Sequence, residues 1–138
     1  MYCTRFGAAM LLSVLLSVWP AQSQSPVQIT VPSGQEISLV EQFLEPQDNG
    51  DLWFRLRFLT PQIGVKDHQM TYEKSQDDLL YLCQSVALKN LSDSGQAAQL
   101  IIITLMDRLV TFGSAEPSAT QFFEVFRPEN ATCIWEDL

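Results

Sequence analysis

The chain has 138 residues, with 16 acidic side chains against eight basic ones, a single histidine and a formal net charge of −8 at neutral pH. An acidic balance argues against nucleic acid or an anionic membrane surface as partner, and one histidine excludes the two- and three-histidine metal centres. The length suits one domain able to bury a core without help from a metal, so no cofactor is implied.

Met1 to Ala21 reads as a cleaved export signal. Arg5 precedes an apolar run from Ala8 to Trp19, which Pro20-Ala21 closes. That run is 12 residues long, short of the about 20 that a membrane-spanning helix needs. Cleavage after Ala21 sets Val18 and Ala21 at the small-residue positions; cleavage after Ser23 is the alternative. Residues 22–138 then form the single domain, with no membrane span, in a periplasmic or secreted setting. Losing Arg5 takes the formal charge from −8 to −9. Cys3 leaves with the signal, so Cys83 and Cys133 remain as disulfide candidates in an oxidising compartment.

In chain order, Val27 to Val31 alternates and stops at Pro32-Ser33-Gly34, a short strand and a turn. Ile37 to Glu45 reads as a strand paired with Leu52 to Leu59, in which Leu52, Phe54, Leu56 and Phe58 share one face and Trp53, Arg55 and Arg57 the other. A two-residue Asn49-Gly50 turn drives Glu41 and Glu45 onto the apolar face. A three-residue Asp48-Asn49-Gly50 loop with Gly50 left-handed places Val40 and Leu44 there instead and sets Glu41 opposite Arg57. The three-residue loop is therefore expected, with Ile37, Leu39, Phe43 and Trp53 on a partly covered outer face.

From Tyr72 the period becomes helical, with Tyr72, Leu79, Cys83 and Val86 on one stripe and Thr71 as N-cap, which predicts a helix from Tyr72 to Ala87. Asn90 to Gly95 reads as loop, and Leu100 to Leu105 as a central strand buried on both faces. Asp107 to Ser118 is a long irregular connection. Phe122 to Arg127 and Thr132 to Trp135 form a second hairpin. A three-residue Pro128-Glu129-Asn130 loop puts Phe123, Val125, Cys133 and Trp135 on one face. Cys133 and Cys83 then both point into the core, and their disulfide closes a loop of 50 residues, worth about 4 kcal/mol. Two buried free thiols are the alternative.

Few residues carry chemistry. His68 with Asp67 lies in a loop-like stretch without a nucleophile elbow, so a surface histidine is the expected reading and no catalytic residue is assigned. Asp77 with Asp78, and Glu41 with Glu45, read as solvated acidic faces. Asp48-Asn49-Gly50-Asp51 lacks the ligand alternation of a calcium loop. Trp53, Arg55 and Arg57 form the main candidate interaction face, able to grip a carboxylate or an acidic segment of a protein partner. The competing and favoured reading is a Glu41–Arg57 pair with aromatic cover. Arg108, with Asp107 beside Phe112-Gly113, is a second candidate patch, equally readable as an anchor for the long loop. Asn90-Leu91-Ser92 and Asn130-Ala131-Thr132 are glycan sequons, both expected in loops.

The segments LWFRLRFLTPQI, DDLLYLC, DRLVTFG and ATQFFEVFRPENATCIWE resemble an uncharacterised family of small exported alphaproteobacterial proteins, a domain of unknown function. The resemblance implies a periplasmic setting and supports pairing Cys83 with Cys133; it brings no activity. The fold expected is one α+β domain, a mainly antiparallel sheet of five or six strands with one principal helix and one disulfide. The function expected is a non-enzymatic module for a protein partner. The alternative is a binder of a small ligand or envelope component, in a pocket between helix and sheet near Tyr72, Phe112 and Trp135.

Overall fold

The computed structural model describes residues 26–64 and 70–137; the expected signal and the Asp67-His68 pair lie outside the described residues. Within them, six strands form one sheet in chain order: β1 Gln28–Ile29, β2 Ile37–Pro46, β3 Leu52–Leu59, β4 Leu100–Met106, β5 Gln121–Glu129 and β6 Thr132–Trp135. Every neighbouring pair is antiparallel except β3 and β4, which run parallel. Parallel neighbours need a crossover, and the helical segment supplies it. It comprises a 3-10 turn at Pro61–Gly64, then α1 Tyr72–Leu82, a π turn Cys83–Ala87 and α2 Leu88–Ser94. The expected α+β fold, mostly antiparallel with one main helical element and a Cys83–Cys133 disulfide, is the one formed.

The β2–β3 hairpin turns as the side chains require. Gly50 is left-handed at φ 90°, and the Gln47 N–H reaches the Asp51 carbonyl at 2.8 Å across the three-residue loop. Glu41 faces Arg57 and Leu44 faces Phe54, as that loop predicts. The ladder then shifts between Leu39 and Glu41, because Leu39 pairs with Phe58. Val40 is thus the extra residue of a β-bulge, and beyond it the inward and outward phases exchange. This corrects the expectation at three positions: Ile37 is buried and Leu39 packs on the core, while Val40 is exposed. Alternation read along β2 cannot reveal the exchange, since the bulge depends on what β2 pairs with.

Thr71 caps α1, its hydroxyl accepting from the Lys74 N–H while its carbonyl accepts from the Ser75 N–H and hydroxyl. The helix does not stop at Ala87. It widens into the π turn, where the Leu88 N–H bonds the Cys83 carbonyl, and continues to Ser94 with Gly95 left-handed at φ 65°. The wide turn adds one residue, so Ala87 and Leu91 take the buried stripe after Cys83 and Val86 is only half-buried. Asn90 is therefore helical rather than in a loop, and its amide donates to the Gln42 carboxamide at 2.6 Å.

The core lies between this helix and one sheet face, around Phe54, Leu56, Phe58, Leu79, Leu82, Ile101, Ile103, Leu105 and Phe126. Cys83 and Cys133 close it with Sγ–Sγ 2.05 Å and Cα–Cα 6.3 Å. The central strand β4 is buried on both faces, as its apolar run predicts. The second hairpin differs from expectation. Its loop has two residues, Asn130 and Ala131, both with positive φ, and Glu129 pairs with Thr132. Both φ values match a type I′ turn, whose twist suits adjoining strands. Phe126 and Pro128, not Phe123 and Val125, therefore share the face of Cys133 and Trp135. Pro128 can stand in the strand because β5 pairs with β4 only as far as Phe126, so its missing N–H removes no bond to β4.

Candidate binding cleft on the outer face of the sheet

Strand alternation sends Trp53, Arg55 and Arg57 away from the helix, and the registers bring Ile102 and Thr104 beside the two arginines, with Val125 and Phe123 beyond. The irregular segment between β4 and β5 folds back over this face. Its base is held twice: the Asp107 N–H donates to the Thr120 carbonyl at 3.0 Å, and the Thr120 N–H donates to Asp107 Oδ1 at 3.1 Å. The Arg108 side chain beside Asp107 is the main cause holding that carboxyl below its usual 3.8, opposed by burial and assisted by the Thr120 N–H. Gly64 packs directly on the Asp107 side chain, where a Cβ would overlap the carboxylate.

Arg57 pins the middle of the segment. Its side chain is 5% exposed, pairs with Glu41, and donates to the Val110 carbonyl at 2.6 Å and to Met106 Sδ at 3.0 Å. A buried guanidinium needs such partners on every side, and its planar fork can serve several at once. Phe112 completes the cover. It meets Phe43 edge-on at 5.0 Å, and the guanidinium groups of Arg55 and Arg57 lie 5.2 and 5.7 Å from its ring centre. Arg55 also lies 5.6 Å from the Trp53 ring centre and donates through Nε to Glu45 at 2.5 Å.

Between the segment and the sheet a cleft of about 330 Å³ remains. Ile102 and Thr104 are among its sheet residues, Arg55 and Arg57 line it, and Val110, Phe112, Ser114, Gln121 and Phe123 surround them. Phe123 is 61% exposed and Phe112 44%, so the rim carries large apolar side chains in water, and Leu109, 68% exposed, lies on the adjoining surface next to Phe112.

The sequence-predicted residues thus separate by role. Trp53, Arg55 and Arg57 do share a face, but Arg57 is a buried tether while Trp53 and Arg55 are half-buried. Arg108 bonds Asp107 and the Ser118 hydroxyl at 3.3 Å, which makes it an anchor of the long segment. Tyr72, Phe112 and Trp135, expected to line one pocket, do not converge. Tyr72 stacks edge-on with Phe122 at 5.8 Å and Trp135 packs on Phe126 at 4.6 Å, whereas Phe112 covers the opposite face of the sheet.

Asp78 is the polar residue that alternation hides. It is fully buried, not solvated, and accepts from the Ser33 N–H at 2.9 Å, the Ser33 hydroxyl at 2.5 Å and the Gln35 amide at 2.5 Å. These bonds tie the β1–β2 turn to α1; Asp77 beside it is exposed. The signal available was Ser33 and Gln35 flanking the turn glycine, with no means of pairing them to a carboxylate 43 to 45 residues away. Among the described residues, no group of three or more His, Cys, Asp or Glu side chains is placed to hold a metal ion.

The model of a family of unknown function, DUF6497, matches residues 13–138, and the chain belongs to that family. No curated protein and no solved structure matches it.

Proposed function

We propose that this member of DUF6497 is an exported, non-enzymatic accessory protein of the periplasm or extracellular space that binds a protein partner through the outer face of its sheet. The observation that carries the reading is the pair of exposed rings Phe112 and Phe123 on a cleft walled by Arg55, with exposed Leu109 on the adjoining surface beside Phe112. Aromatic side chains beside an arginine are the composition of binding hot spots, and clustered apolar exposure has a solvation cost that a partner removes. Export is supported by the buried Cys83–Cys133 disulfide, which persists in oxidising compartments, and by the leader-like N-terminus. Among the described residues no helix is long and apolar enough to cross a membrane.

The test is co-purification from native envelope extracts. A Leu109→Ser/Phe123→Ser variant, with unchanged circular dichroism, is expected to lose a protein that the wild type retains. Retention of the same protein by both sinks the assignment of this face. A second reading, a small-ligand or envelope-component site, draws on the cleft volume, which falls at the low end of the roughly 300–1,000 Å³ typical of ligand pockets. Under that reading, envelope extract holds a small molecule that protects the cleft and no protein that depends on Phe123.

A further inference from the structure

The reading above leaves open what the partner presents. The chain carries twice as many acidic as basic side chains, yet among the described residues the lining of the cleft includes two arginines and no carboxylate. The lining charges are thus cationic, although each arginine also pairs with a glutamate outside the lining, Arg55 with Glu45 and Arg57 with Glu41. The two arginines also differ in what they have left to offer. Arg57 spends both terminal nitrogens on Glu41, Met106 and Val110. Arg55 gives only its Nε to Glu45, and its two terminal amino groups make no hydrogen bond among the described residues.

The position of Arg55 adds to this. Its guanidinium lies 5.6 Å from the Trp53 ring centre and 5.2 Å from that of Phe112, so two aromatic rings hold it within cation–π range. A guanidinium held in this way, with free terminal donors, is arranged for a carboxylate, whose two oxygens match the fork. Beside it the cleft offers Ile102, Phe112 and Phe123, an apolar surface with room for one large side chain.

Resting on the proposed partner-binding role, we propose that the cleft recognises a peptide segment in which a large apolar side chain stands next to a carboxylate, the apolar group seated against Ile102 and Phe123 and the carboxylate on Arg55. Charge complementarity selects the carboxylate, since among the described residues no lining side chain repels it and the terminal amino groups of Arg55, which Glu45 leaves unused, can receive it.

The test uses the chain as it accumulates in the cell, isotope-labelled, and an acetylated, amidated pentapeptide with phenylalanine next to aspartate. Its counterpart carries asparagine in place of aspartate. The expected result is movement of the Trp53 indole and Thr104 amide NMR signals, with the aspartate peptide binding roughly five- to tenfold more tightly. Arg55→Gln should erase that difference and Arg55→Lys should restore part of it. Equal binding of the two peptides, or signals moving only around Tyr81 and Trp135, overturns the proposal. So does phenylacetate binding as tightly as the aspartate peptide, which assigns the cleft to small carboxylates. Should neither peptide bind while Phe123 still contacts a partner in cells, the chemistry proposed here fails and the partner-binding role stands. Peptide binding without any cellular partner gives the converse.

Discussion

At the residue scale, two side chains show how burial reassigns a charged residue from surface to scaffold. Asp78 and Arg57 are each 4% exposed or less, and each joins segments far apart in sequence. Asp78→Ala strands the Ser33 N–H, the Ser33 hydroxyl and the Gln35 amide, so it should cost about 3 kcal/mol in urea unfolding, whereas Asp77→Ala should change little. Equal effects at the two positions would contradict the clamp. Titration gives opposite signs at two other carboxyls. Burial, assisted by Asp137, raises Glu124 above its usual 4.5, although the Val125 N–H opposes it. The folded state then holds more protons than the unfolded one, so stability falls as pH rises through that window. Asp107, held low, contributes stability that is present above its unfolded value and lost as pH falls through the folded one. Glu124→Gln should therefore stabilise at pH 7 with the gain vanishing near pH 4, while Asp107→Asn should flatten the acid limb. Thermal melts across pH check both slopes.

At the element scale, the legible features were those set by local chemistry. The Gly50 loop, the Thr71 cap, the buried run of β4 and the extent of β6 all follow from side chains near one another in sequence. What failed depended on partners or on an inserted residue. The Val40 bulge exchanged the faces of Ile37 and Leu39, the π turn carried the helix past Ala87, and the Asn130-Ala131 turn shifted β5 by one residue. Each adds or removes one position, and a period-2 or period-3.6 pattern has no memory of such a step. The bulge makes a specific prediction. Deleting Val40 joins Leu39 directly to Glu41, and both keep their partners Phe58 and Arg57. The deletion should then cost under about 1 kcal/mol and leave amide exchange in β2 protected. Loss of that protection would show that the ladder needs the bulge to close.

At the scale of the whole molecule, one face of the sheet carries the stability and the other the exposed apolar rim. The disulfide joins the π turn to the edge strand β6 across the core face, so Cys83→Ser/Cys133→Ser should lower stability by about 4 kcal/mol while leaving the Phe112 and Phe123 face unchanged. Intact mass of the accumulated chain, with and without reductant, tests export and pairing together. Loss of Met1 to Ala21 and a mass gain of about two hydrogens on reduction are expected. Of the candidate site, the sequence disclosed Trp53, Arg55 and Arg57 by alternation alone. It could not disclose Phe123, whose face depends on the turn, or the cleft, which exists because Arg57 and Asp107 hold the long segment over the sheet. The most direct measurement of the central claim is photo-crosslinking in living cells, with the reactive side chain placed at Phe123 or, as control, at exposed Tyr81 on the helix. A discrete protein adduct at Phe123 and none at Tyr81 is the predicted result; adducts at neither position, or equally at both, would contradict the assignment of this face.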